Sequence, residues 1–157
     1  MKKKLQLSLI FTVSLGISSL AVAEKPGPDA EALWQHIQDT SPYTTWGFWP
    51  DHKGLQEGDA PHGPLHKVYV NDIGLASAHA PVDNGSIIVK ENIGNDKELK
   101  ALTVMYKIKG YNPEAGDWYW VKYGTDGSVA KAGKPAGCIG CHGSAADNDY
   151  VMVHSFE

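Results

Sequence analysis

Ala101-Leu102-Thr103-Val104-Met105-Tyr106-Lys107-Ile108-Lys109 alternates along its length. Leu102, Val104, Tyr106 and Ile108 fall on one side, and Thr103, Met105 and Lys107 fall on the other. A period of two belongs to an extended strand, because successive side chains leave it in opposite directions.

Other strands are read outward from this one. Residues 85–92 carry Ile87, Ile88 and Val89. Residues 65–71 place Val68 and Val70 on one face and Lys67 and Tyr69 on the other. Residues 118–123 follow, closed by the turn Gly124-Thr125-Asp126-Gly127, and residues 150–156 are expected to form a last strand. Residues 29–39 read as a helix capped by Asp29, with Leu33, Trp34 and Ile37 on one face. Residues 40–64 are rich in Pro, Gly and Trp, hold no sustained period, and read as the kind of long irregular connection that lines sites. A short helical turn near the C-terminus carries both cysteines. The expected class is mainly β (α+β): an antiparallel β-sheet domain with a few short helices.

The N-terminal end has another character. Lys2, Lys3 and Lys4 precede an apolar run over residues 5–20 and then Ala21-Val22-Ala23. A basic start, an apolar stretch and a small-x-small site read as a signal peptide over residues 1–23, with an uncleaved anchor as the rival reading. One domain over residues 24–157 remains. Loss of three lysines leaves 11 basic against 18 acidic side chains, a formal charge of −7, and the chain has no arginine. Such a balance speaks against nucleic acid as a partner. No second apolar stretch approaches the roughly 20 residues of a spanning helix, so no membrane association is expected after cleavage. The mature product is expected to be exported and periplasmic.

The two cysteines lie in Cys138-Ile139-Gly140-Cys141-His142. A disulfide across so short a loop restrains little chain. A zinc site needs four ligands, and a thioredoxin-type dithiol sits in an alternating βαβ context that is missing here. The spacing suits covalent attachment of a c-type haem. Two thiols three positions apart form thioethers with the two haem vinyl groups, and His142 supplies an axial imidazole to the iron.

Beyond the haem motif, Pro61-His62-Gly63-Pro64 runs into Val68-Tyr69-Val70-Asn71. Ile88-Val89-Lys90-Glu91-Asn92, Leu102-Thr103-Val104-Met105 and Asp117-Trp118-Tyr119-Trp120 follow in order. With the late attachment site, this set resembles the cytochrome P-460 / cytochrome c′-beta family over nearly all of the mature chain. The resemblance implies an antiparallel β fold, a homodimer, and one covalent haem c on Cys138 and Cys141. It also implies a five-coordinate iron with His142 as the sole protein axial ligand. Members of the P-460 type oxidise hydroxylamine and cross-link their haem to a lysine. Members of the c′-beta type lack the link and bind nitric oxide and carbon monoxide. The stretch matching the lysine's neighbourhood, residues 74–84, contains none, and Lys67 and Lys90 flank it as weak substitutes.

The leading expectation is therefore a five-coordinate cytochrome that binds, sequesters or converts NO and also binds CO, possessing oxidoreductase activity only if it turns a ligand over. The alternatives are hydroxylamine oxidation and periplasmic electron transfer by a six-coordinate haem, with an unspecified redox partner. Candidates for a sixth ligand are His36, His52, His62, His66, His79, His154, Met105 and Met152. His79 is singled out as a distal residue able to hydrogen-bond a ligand or move a proton; the plainer reading leaves it exposed on its loop. Val82 is expected to add bulk over the iron. Trp46, Phe48 and Trp49 are expected either to wall the haem edge or to serve as core or dimer interface.

Overall fold

The computed structural model describes residues 25–156, and the signal peptide read over residues 1–23 lies outside the described residues. Among the described residues, no helix is long and apolar enough to cross a membrane.

The alternating segments pair into one six-stranded sheet in chain order. The strands are β1 (Gln56–Glu57), β2 (Leu65–Val70), β3 (Ile87–Ile93), β4 (Leu99–Lys107), β5 (Trp118–Tyr123) and β6 (Val129–Gly133), each antiparallel to the next. Three short helices accompany them: α1 (Ala30–Gln35), α2 (Asp72–Ala76) and α3 (Ala136–His142). This is the mainly β class read from the sequence.

Strands β2 to β5 send alternate residues to two different cores. One face presents Tyr69, Val89, Leu102, Val104, Val121 and Tyr123, and α1 lays Leu33 and Ile37 across it. The Asp29 carboxylate caps α1 by accepting the Ala32 N–H at 2.7 Å. The helix read over residues 29–39 continues as a wider π turn over His36–Thr40. Tyr123 donates its hydroxyl hydrogen to the Ala30 carbonyl at 2.7 Å and ties β5 to the helix start.

The opposite face presents Val68, Val70, Ile88, Met105, Trp118 and Trp120. Trp49, Val82 and Val151 complete that cluster, and Cys138, Ile139 and Tyr150 pack against it. The aromatic run of the long connection is thus divided. Trp46 and Phe48 pack on the helix-covered face, and Trp49 alone joins the other.

Residues 150–156 do not form the last strand expected of them; β6 takes that place in the sheet. Asp149 and Tyr150 both adopt left-handed backbone, at φ 53° and 66°, which breaks an extended path. Beyond them the Asn148 side-chain amide donates to the carbonyls of Val151 at 2.7 Å and His154 at 2.6 Å, folding the tail into a loop. β6 escaped the pattern because four of its five residues are exposed, so no apolar alternation marks it.

Candidate haem site

Cys138, Cys141 and His142 all lie on α3, where spacings of three and four residues share a side. All three line a cavity of about 650 Å³ between the second sheet face and the C-terminal segment. Both thiols are free, Cys138 half-buried and Cys141 exposed.

The His142 ring is oriented from behind. Its Nδ1 lies 2.8 Å from the Tyr150 carbonyl oxygen. A carbonyl only accepts, so Nδ1 carries the proton and Nε2 keeps its lone pair for a metal. Burial lowers the pKa of His142, which holds the ring neutral as a ligand requires. Trp120 meets the ring edge-on, with centroids 4.8 Å apart.

The carbonyl is itself fixed. Asp149 is buried, and its carboxylate forms an ion pair with the buried Lys107 ammonium of β4. The same carboxylate accepts the Val82 N–H at 2.9 Å, and the Asp149 carbonyl accepts the Trp118 indole N–H at 2.8 Å. The sheet thereby holds the turn, and the turn holds the imidazole. Sequence reading missed this arrangement, because a backbone acceptor leaves no residue signature.

The residues present suit a c-type haem. Val68, Ile88, Met105 and Trp120 supply an apolar lining, and two thiols and one bare imidazole nitrogen are the groups that would attach and ligate it. The Trp120 indole N–H and His66 Nδ1 are buried and unsatisfied at this cavity. Lys122 and Lys131 oppose one another in the β5–β6 register and both line the cavity. Like charges directly opposite repel, so an anion between them is favoured. With Lys90 they are the lining cations that would be available to haem propionates in a chain without arginine.

The candidates for the sixth position separate cleanly. His52, His62, His66, Met105 and Met152 line the cavity; His36, His79 and His154 are not among its lining residues. His79 is exposed on the connection from α2 to β3. His154 stacks on Trp49 and meets Asp51 through Nδ1 at 2.8 Å. Val82 is buried in the core of this face and is likewise absent from the lining. His52 and His66 are joined through their Nε2 atoms at 2.7 Å. His62 reaches Asn92 Oδ1 through Nδ1 at 3.1 Å. Burial depresses the pKa of His62 and of His66 to about 4, with the Lys90 charge adding to the effect.

The two flanking lysines also part company. Lys67 points to the helix-covered side and faces Glu91 at 3.7 Å. Lys90 lines the cavity, and burial lowers its pKa. Strand parity separates them, since β2 and β3 pair Lys67 with Glu91, the residue next to Lys90.

The Cytochrome P460 family matches the chain over residues 43–153, a span that takes in all six strands and α3. The chain belongs to the cytochrome P460 family. As a P460-family protein it is a cytochrome, and its cofactor is haem. The match begins at Tyr43, beyond α1, and so covers the sheet and the cavity but not that helix. A search of curated proteins finds no match to the chain.

Proposed function

We propose that this P460-family protein is an exported, periplasmic monohaem c-type cytochrome that binds nitric oxide and carbon monoxide. Its haem is joined through Cys138 and Cys141, with His142 as proximal ligand, and it acts as a homodimer. The observation that carries the reading is the Nδ1 contact of His142 with the Tyr150 carbonyl at 2.8 Å, which leaves Nε2 bare beside both thiols. Haem supplies an iron centre that binds diatomics and changes oxidation state. The protein contributes orientation of the imidazole, exclusion of water by Val68, Ile88, Met105 and Trp120, and cations for the propionates. Among small ligands, an uncharged diatomic enters such an apolar space without paying a large desolvation cost.

Absorption spectroscopy of the purified mature protein tests the reading. Reduced protein is expected to shift its Soret band on adding CO or NO, and the pigment is expected to stay with the polypeptide in acidified organic solvent. A spectrum indifferent to both gases sinks the gas-binding reading.

Hydroxylamine oxidation is the second reading, and one observation favours it: Lys90 offers an amine in the cavity itself. Depression of its pKa by burial raises the fraction of neutral, nucleophilic amine. A strongly red-shifted Soret band that reverts in Lys90→Met selects this reading.

A further inference from the structure

One hydrogen-bonded pair on the cavity wall neither attaches nor ligates the haem. His66 on β2 is buried, and its Nε2 meets His52 Nε2 at 2.7 Å, with the two ring planes 17° apart. We propose that His52 and His66 form a proton-transfer pair that takes up one solvent proton when the haem iron is reduced and returns it on oxidation. The inference rests on the reading that the cavity holds a haem iron which changes oxidation state.

Three observations carry it. First, the contact fixes the state of both rings. Burial lowers the pKa of each, with the Lys90 charge adding to the effect, so both are neutral at neutral pH. Two neutral rings joined through Nε2 share one hydrogen, so one is the Nε2–H tautomer and the other the Nδ1–H tautomer. Each ring then has one N–H and one lone pair, which is what receiving a proton at one nitrogen and passing one on from the other requires.

Second, the pair runs from the cavity wall outward. Both rings line the cavity. His66 is held between Gln56 of β1 and Asn92 of β3 in the sheet register, and a Cβ at Gly58 would stand 2.7 Å from its Nδ1, so the loop closes on the ring only because residue 58 is glycine. His52 is half-buried between the exposed Asp51 and Lys53, and no hydrogen bond among the described residues takes up its Nδ1. A proton from water therefore joins His52 at Nδ1, and the His52 Nε2 hydrogen crosses the 2.7 Å contact to His66 Nε2. His66, now carrying both ring hydrogens, holds the positive charge. The electron comes from an external one-electron reductant, and oxidation reverses each step, so one proton accompanies one electron both ways.

Third, the surrounding charges set where the coupling operates. Lys90 on β3 and His62 in the loop oppose a positive charge on His66. At His52, Lys90 and His154 oppose it and Asp51 favours it. Glu57 and Asp59 line the cavity from β1 and the loop after it, and Lys122 and Lys131 line it from β5 and β6. An electron added at the iron is a new negative charge in a poorly solvated space, so reduction raises the affinity of His66 for a proton. Its pKa of about 4 before reduction places the coupling on the acid side of neutrality.

Spectroelectrochemical titration of the haem-loaded protein across the range from pH 8 down to pH 4 tests the proposal. The wild-type reduction potential is expected to be flat near neutrality and to rise toward pH 4, approaching about 59 mV per pH unit for one proton per electron. His66→Gln should flatten that rise. In His52→Gln the amide still bonds to His66 but cannot pass a proton on. The equilibrium slope should then persist, while proton uptake after rapid photoreduction, followed with an indicator dye, slows by about a hundredfold. A wild-type potential independent of pH over the whole range overturns the proposal, whether or not the variants fold. A slope that survives in His66→Gln also overturns it, because the proton then belongs to a propionate or another lining group. Uptake that is equally fast in His52→Gln overturns the route through the pair. A slope lost in His66→Gln, in a haem protein indifferent to CO and NO, upholds the pair and removes only the gas-binding reading.

Discussion

The two faces of the sheet are made from the same strands, yet they are finished by different means. On the face under α1, Leu33 and Ile37 are fully buried against tyrosines and branched aliphatics. Its main charged pair, Lys67 with Glu91, sits toward the rim, where Lys67 Nζ keeps more than a third of its side chain exposed. On the opposite face the strands send up Trp120, Lys90 and Lys122 along with aliphatics, and α3 and the tail cover it only in part. The unsatisfied Trp120 indole N–H and His66 Nδ1 belong to this second face. A closed face needs only shape and apolar area. A face that accepts a cofactor keeps polar groups in reserve and fixes them from outside with buried charge.

Breaking that outside fixture should have the largest effect. Lys107→Met leaves the Asp149 carboxylate buried without its cation, and removal of one partner of a buried pair costs about 3–5 kcal/mol. Urea denaturation measures the loss, and Lys107→Met with Asp149→Asn should recover a part of it. Unchanged stability in the single variant would mean that the turn before Tyr150 is held by something else.

Leu33→Ala attacks the closed face instead. A fully buried leucine truncated to alanine costs about 2–5 kcal/mol. The loss should be equal with and without haem, since α1 touches only the other core. A penalty that changes with haem content contradicts the separation of the two faces.

The smallest effect is a pH dependence confined to the cavity side. His66 titrates near 6.5 in an unfolded chain and is lowered to about 4 in the fold, chiefly by burial. The unfolded state binds more protons between those values, so stability is full above pH 6.5 and falls as pH drops toward 4. His66→Gln should flatten that acid limb in urea midpoints measured across the range. An acid limb of unchanged slope assigns the effect to other histidines.

Much of this was legible in the chain. Strands β2 to β5 fall on the segments read as strands, and the spacing of Cys138, Cys141 and His142 already places them together on one short helix. Strand β6 did not, because an exposed edge needs no apolar side. His62 and His66 could only be named among many histidines. His62 stands in a loop, where no period tells which way a side chain points, and its partner Asn92 is thirty positions away. Lys90 was within reach of a parity argument, but only once it is known that α3 and the tail cover the Val68 face and not the Tyr69 face. That choice is made by tertiary packing.

The link from His142 to Tyr150 has a further consequence. The acceptor is a main-chain oxygen, so the identity of residue 150 is free in that respect while its distance along the chain is not. Two consecutive left-handed residues, neither of them glycine, bend the path to bring that oxygen round. The segment works as a ruler: side chains along it can be exchanged, but one residue inserted or removed rotates the oxygen out of line and lets the imidazole swing.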